Sequence, residues 1–156
     1  MTTLHDTADA VRSQIAAGSY TLSFTPTLQY DTDLVLEDID TLDVAIVAAS
    51  LTQQADSRNS LRYEVGVDVA VRYRFGTAEH DGEGKIKTAQ IEAYIGLLEE
   101  IAEELADPSN RTLTDKAAAA WIRNEFRYPW VPEHLRQNRQ YTGIFRATYV
   151  VMMDAS

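Results

Sequence analysis

The sequence predicts an α+β fold: a mainly antiparallel sheet with two amphipathic helices packed on one face. Three observations carry that reading. From Tyr63 to Phe75, Val65, Val67, Val69, Val71 and Tyr73 fall on every second position, while Arg62, Glu64, Asp68, Arg72 and Arg74 fill most of the others; alternation of this kind is a strand with one face inward. From Ile91 to Leu105 the apolar residues instead follow helical spacing, with Glu92, Glu99, Glu100, Glu103 and Glu104 on the remaining face. Strands that follow one another directly pair antiparallel, and two helices with one apolar face each have a single sheet to cover. The 156 residues favour one domain spanning 1–156, with no internal repeat, linker or low-complexity tract.

Along the chain, Leu4, Ala8, Val11 and Ile15 make the stripe of a first helix, with Thr2 or Thr3 as its cap and Gly18 as its stop. Tyr20, Leu22 and Phe24 alternate, which predicts a strand over Ser19 to Thr25 that Pro26 ends. Asp31, Asp33, Glu37, Asp38 and Asp40 lie among Leu34, Leu36 and Ile39, an acidic loop with a helical turn or two. Val44, Ile46 and Val47 give a short strand, and the polar stretch Ser50 to Ser60 reads as a loop. The long strand that follows extends about 43 Å at about 3.3 Å per residue, against a diameter near 40 Å for a compact domain of this length. It spans the molecule or projects from it, and an unpaired end needs a cover, for which a second copy is the economical one.

Gly76, Gly82 and Gly84 mark an acidic connection up to Lys87. The Glu-rich helix runs from Thr88 to Ala106, about 28 Å, and Asp107-Pro108 stops it. Ala117 to Trp121 reads as a short helix capped by Thr114, with room for a strand after it. Pro129, Trp130 and Pro132 enforce a loop, and Tyr141 to Met153 is the closing strand, with Phe145, Ala147, Tyr149, Val151 and Met153 on one face.

The absence of cysteine excludes a disulfide framework, a zinc-thiolate site, an iron–sulfur cluster and a cysteine nucleophile. Glu79, His80, Asp81 and Glu83 are oxygen-rich but match no established cation loop and read as a solvated turn. His5 and His134 lack a second histidine at ligand spacing and read as surface residues. No serine sits in a G-x-S-x-G elbow and no Gly-rich segment has the setting of a phosphate loop. The reading is a non-enzyme without cofactor or metal. With no apolar run of membrane-spanning length and no signal-peptide pattern, it is expected in a cytoplasm, away from membranes.

The formal charge of −10 disfavours gripping nucleic acid. Its layout is uneven: residues 1–110 carry 7 basic against 20 acidic groups, and residues 111–156 carry 7 against 4. Arg123, Arg127, Arg136, Arg139 and Arg146 therefore either meet an acidic surface of a neighbouring copy or balance the Glu-rich helix within the chain. Tyr128, Trp130 and Tyr141 either anchor an interface or cover the edge of the core.

The ordered set of these features resembles the tail terminator family of long-tailed bacteriophages, the tail completion or head–tail joining proteins. It comprises the first helix ending near Gly18, Leu28 and Tyr30, and the acidic Leu34 to Leu42 turn before Val44 to Val47. It continues with the polar loop ending in Ser57-Arg58, the strand Tyr63 to Phe75 and the helix Ile91 to Leu105. Trp121 with its aromatic turn, and Tyr141 to Phe145 with Arg146 to Tyr149, complete it. The resemblance implies a subunit of a hexameric ring in the virion neck, assembled in the host cytoplasm. Such a ring stacks on the last ring of tail tube protein and offers its other face to a head-side stopper or connector protein. Its sheet faces the lumen and its helices lie outside, and the acidic excess of this chain would let DNA pass such a lumen without sticking. The candidate interface residues are Arg58, Arg62, Arg72, Arg74, Lys85, Arg127, Trp130 and Arg139, with the Ser50 to Ser60 and Gly76 to Lys87 loops as axial contacts. A stopper or connector-completion protein, or a host-encoded binding module, are the alternatives.

Overall fold

A computed structural model describes residues 2–30, 42–76, 87–113 and 118–154. The elements are α1 (Thr3–Ala16), β1 (Pro26–Gln29), β2 (Asp43–Ser57), β3 (Ser60–Arg74), α2 (Thr88–Ala106), β4 (Thr112–Leu113), β5 (Ala119–Tyr128), α3 (Pro132–Asn138) and β6 (Gln140–Asp154). Six strands form one sheet in the order β1-β2-β3-β6-β5-β4. Every neighbouring pair is antiparallel except β1 with β2. The class is therefore α+β with a mainly antiparallel sheet.

The valine ribbon supplies the middle of the core. Val65, Val67, Val69 and Val71 are fully buried and share one cluster with Phe145, Ala147 and Tyr149 of β6, Val44 and Ile46 of β2, Val11 and Ile15 of α1, and Leu97, Leu98 and Ile101 of α2. Both long helices thus lie on the same face of the sheet. A column of rings closes the end near Arg74: Tyr94 stacks on Tyr73 at 4.8 Å and on Tyr141 at 5.8 Å, with Phe75 edge-on.

Local chemistry sets the helix ends. The Thr2 hydroxyl accepts the His5 N–H at 3.1 Å and caps α1. At the far end of α2, Asn110 donates to the Glu104 carbonyl at 3.0 Å and Arg111 to the Ala106 carbonyl at 2.7 Å, serving carbonyls that no further turn can reach. Pro132 begins α3, where its missing N–H costs nothing, and Arg139 ends it in the left-handed region at φ 52°.

Five expectations are corrected. Ser19 to Thr25 is not a strand: Tyr20, Leu22 and Phe24 do alternate inward, but the backbone has no ladder partner, and the segment is tied down by side chains instead. Tyr20 donates to the Ile15 carbonyl at 2.8 Å and Thr21 bonds Glu100 through both its N–H and its hydroxyl. Pro26 opens β1 rather than ending a strand, a position at which a sheet tolerates proline. Ser50 to Ser60 is not a loop. The second half of β2 pairs with β3 down to Ser57 opposite Ser60, so only Arg58 and Asn59 turn. Ala119 to Trp121 is strand rather than helix, because pairing with Tyr149 to Val151 of β6 overrides the propensity of alanine. Finally, the long strand is not an open edge. β3 is flanked along its length by β2 on one side and β6 on the other. The acidic segment 31–41, the cluster from Glu79 to Glu83 and most of the Gly76 to Lys87 connection lie outside the described residues.

Two stability predictions follow from this core. Val67→Asp places a carboxylate among fully buried valines, which costs several kcal/mol; chemical denaturation should show an unfolded or severely weakened subunit, and an unchanged midpoint would mean that the face is wrongly assigned. Tyr149 is buried with no hydrogen-bond partner for its hydroxyl among the described residues, and burial raises its pKa. Because the folded state holds that proton after the unfolded chain has begun to lose it near pH 10, stability falls as pH rises past that point. Tyr149→Phe should be neutral to about 1 kcal/mol more stable at pH 7 and should lose less stability between pH 9 and pH 11, as read from melting curves.

Candidate assembly interface

The face of the sheet opposite α1 and α2 carries charge in pairs. Arg72 on β3 donates to Asp43 on β2 at 2.8 Å, and Arg146 on β6 holds Asp68 on β3 through two bonds of 2.7 and 3.1 Å. Arg62 meets Glu64 at 3.2 Å and Arg123 meets Glu125 at 3.0 Å. Between them lies a small apolar patch of Ala45, Val47 and Ala70 against Ile144. A Cβ at Gly66 would run into the Ser50 hydroxyl and press on the Arg146 side chain, so a larger residue there requires the serine hydroxyl to turn away. The pairing shows in the titration of its members. Arg146 is held above its ordinary pKa, first by its hydrogen bond to Asp68 and then by the charges of Asp68 and Glu125. Glu125 is held below the usual carboxylate range, chiefly by the hydrogen bond from Arg123.

Both outer strands leave backbone unpaired among the described residues. β1 covers β2 only at Val44–Val47, so the outer edge of Ser50–Ser57 has no partner strand, and the side chains from Leu51 to Ser57 are exposed. On the other side, β4 covers Ala119 and Ala120, and the Arg111 carbonyl accepts the Trp121 N–H at 2.6 Å. From Ile122 to Tyr128 the outer edge of β5 is open. Beside it runs a groove of about 640 Å³ between β5 and α2, with Ala102, Ala106, Trp121, Phe126 and Pro129 as its apolar lining and Glu99 and Glu103 at its rim. Each edge exposes a large apolar side chain, Leu51 at 47% on β2 and Phe126 at 43% on β5.

The residues singled out from sequence divide between the two ends of the strands. Arg58 sits at the tip of the β2–β3 hairpin, exposed, and Arg62, the third residue of β3, lies on the paired face. Arg74 ends β3 opposite Gln140, and the neighbouring Arg139 is exposed while its carbonyl accepts the Phe75 N–H at 2.8 Å. Arg127 and Trp130 are exposed at that same end, on and just after β5. Arg72 is corrected: it is 3% exposed and engaged by Asp43, so its charge is consumed inside the subunit. Tyr141 is likewise a core residue, fully buried with its hydroxyl on the Pro129 carbonyl at 2.6 Å. Lys85 lies outside the described residues. The two histidines are less idle than the sequence suggests, since His5 Nδ1 lies 2.9 Å from the Tyr30 hydroxyl and His134 Nδ1 lies 2.7 Å from that of Thr142.

Sequence reasoning missed Leu51 and the open edge it stands on. The available signal was the uninterrupted run Leu51 to Ser57, free of glycine and proline and followed by the two-residue turn at Arg58 and Asn59. Compared with known protein-family models and with curated proteins, the chain matches none. Among the described residues no group of three His, Cys, Asp or Glu side chains is placed to hold a metal ion, and no helix is long and apolar enough to cross a membrane.

The cross-strand pair is the testable part of this face. Asp68→Asn should cost about 1 to 2 kcal/mol, a value reduced for the partial exposure of both side chains. In a double-mutant cycle with Arg146→Gln, the combined loss should be smaller than the two single losses added together; strict additivity in urea titrations would show that the pair contributes no coupling.

Proposed function

We propose that this chain is a ring-forming structural protein of the neck of a long-tailed phage, of the tail terminator kind, which ends growth of the tail tube and joins tail to head. One observation carries the reading: a sheet with both long helices on one face, charges paired across strands on the opposite face, and an open edge at each side among the described residues. Open edges on opposite sides of one sheet are a means of joining copies in one direction. They replace the unpaired long strand as the physical reason for self-assembly.

On this reading the mechanism is steric and adhesive. The face opposite α1 and α2 lines the lumen, where its arginines are already held by Asp43, Asp68, Glu64 and Glu125. Cations engaged in this way offer little to passing phosphates, and the net charge of −10 repels them further. The ring's two axial surfaces are the two strand ends. Arg58 and Arg62 belong to one, and Arg74, Arg127, Trp130 and Arg139 to the other, so that one surface caps the terminal ring of tube protein and a different one meets the stopper or connector.

The test uses the purified protein and polymerising tube protein. Light scattering and negative-stain images should show a closed ring, and adding it to growing tubes should fix their length by blocking one end. Tubes that elongate unchanged in its presence, or native virions without the protein at the neck, would remove this reading. Crosslinking to the portal side rather than to tube subunits would instead mark it as a stopper.

A further inference from the structure

We propose that copies of this chain join edge to edge into one continuous sheet. The Ser50–Ala55 run of β2 in one copy pairs antiparallel with Ile122–Arg127 of β5 in the next, and Leu51 seats in the groove between β5 and α2. This rests on the ring reading and names how the ring is held.

Direction comes first. β2 is antiparallel to β3, β3 to β6 and β6 to β5. β2 and β5 therefore run opposite ways, and copies placed side by side with the same face inward meet as an antiparallel pair. That is the better ladder and needs no inversion of any copy.

Face and register then agree. Both outer strands are bulged twice, β2 between Ala48 and Ser50 and between Ala55 and Ser57, and β5 between Trp121 and Arg123 and between Glu125 and Tyr128. Between its bulges β2 is regular from Ser50 to Ala55 and β5 from Arg123 to Glu125, with Phe126 following at the start of the second β5 bulge. Leu51 and Gln53 point to the helix side, level with Val65 and Tyr63. On β5 the helix side takes Asn124, whose amide donates to the Ala102 carbonyl, and Phe126, which packs on Phe145. Setting Leu51 opposite Phe126 places Thr52 opposite Glu125, Gln53 opposite Asn124 and Gln54 opposite Arg123, with every side chain on its proper face. The exposed leucine then fills an apolar groove that already ends at Phe126. Asp56, the acid on this open edge, arrives where Arg111 lies over the Trp121 ring and Arg123 follows, a complementary charge at the end of the ladder.

The stagger is the independent check. Within one subunit Leu51 is level with Val65, Tyr149 and Trp121, whereas Phe126 is level with Phe145, four residues along β6. Each copy is thus displaced along the strands by about 13 Å while advancing four strands, about 19 Å. For those displacements to close in a plane the strands tilt by about 35° to the ring axis, which falls within the range of closed barrels, about 35 to 45°. The copy number does not enter this angle.

The chain has no cysteine, so Leu51→Cys and Phe126→Cys make a clean pair of probes at exposed positions. Within one subunit they sit on strands separated by β3 and β6, about 14 Å apart at the least and beyond disulfide reach, about 7 Å between Cα atoms. Any bond between them therefore joins two copies. Mixing the two single variants under mild oxidation should give a heterodimer, with neither variant alone forming the corresponding homodimer. The double variant should give a ladder ending at one ring-sized species. If the protein forms rings by light scattering but the mixture gives no heterodimer, this edge pairing is overturned while the ring reading stands. If neither rings nor crosslinks form, both are overturned. If the crosslinked ring forms but leaves tube growth unchanged, the edge pairing holds and the terminator function falls.

Discussion

The sheet outruns the layer that covers it. β2, β3 and β6 are each fifteen residues long, about 50 Å of strand at about 3.3 Å per residue. The longer helix, α2, has 19 residues and reaches about 28 Å. One end of the sheet can be roofed by helices and the other cannot. Where the roof exists, alternate residues of β3 are fully buried valines. Where it stops, Leu61 and Tyr63 are only half covered and the whole of β2 from Leu51 to Ser57 is exposed. The polar composition of that half of β2 is the sequence's accommodation to the missing roof, since threonine, glutamine and serine can stand in water on both faces of a strand.

That same accommodation decided what could be read from sequence. The two strongest periodicities, Tyr63 to Phe75 and Ile91 to Leu105, report one-sided burial, and both elements stand where the pattern puts them, α2 to the residue. Ser50 to Ser60 has no apolar period because neither face is buried, so periodicity was silent about a strand held by backbone pairing to β3 alone. In Ser19 to Thr25 the period was real and the inference failed in the opposite sense: alternate residues are buried, but side-chain tethers to α1 and α2 do the holding and no ladder forms. Periodicity measures which way side chains face; it does not measure what the backbone bonds to. The same gap hid the candidate site, because an open edge is a property of the strand order, and strand order is set by long-range pairings such as β3 with β6 that no local window contains.

The arginines illustrate a second limit. Their number after residue 110 leaves open an outward basic surface or a balance within the chain, and Arg123 and Arg146, like Arg72 earlier in the chain, each have a carboxylate from this chain in hand. Those pairs form across β2 and β3, across β3 and β6, and along β5, so for these three arginines the balance is local to the face opposite α1 and α2. Arg58, Arg74, Arg127 and Arg139 are exposed at the strand ends. A face whose charges are internally matched has low affinity for any polyanion.

An open edge is ordinarily a hazard, because any extended chain can add to it. In this sheet the irregularities are confined to the outer strands: all four bulges interrupt pairings of β2 or β5, and the β3–β6 ladder between them is unbroken. A bulge twists the edge and breaks its hydrogen-bond rhythm, so a passing strand finds only a short regular run on either side. The two edges also differ in kind, one polar with a single leucine, the other aromatic and arginine-bearing beside a groove. A pairing of either edge with its own copy would set Leu51 against polar backbone, or Phe126 against Phe126 with the groove left empty, and such two-fold contacts end at a dimer. Only the unlike pairing fills the groove, and because it uses a different edge of each copy it repeats from one subunit to the next. In the proposed edge pairing, selectivity and propagation therefore come from the same asymmetry in the sheet.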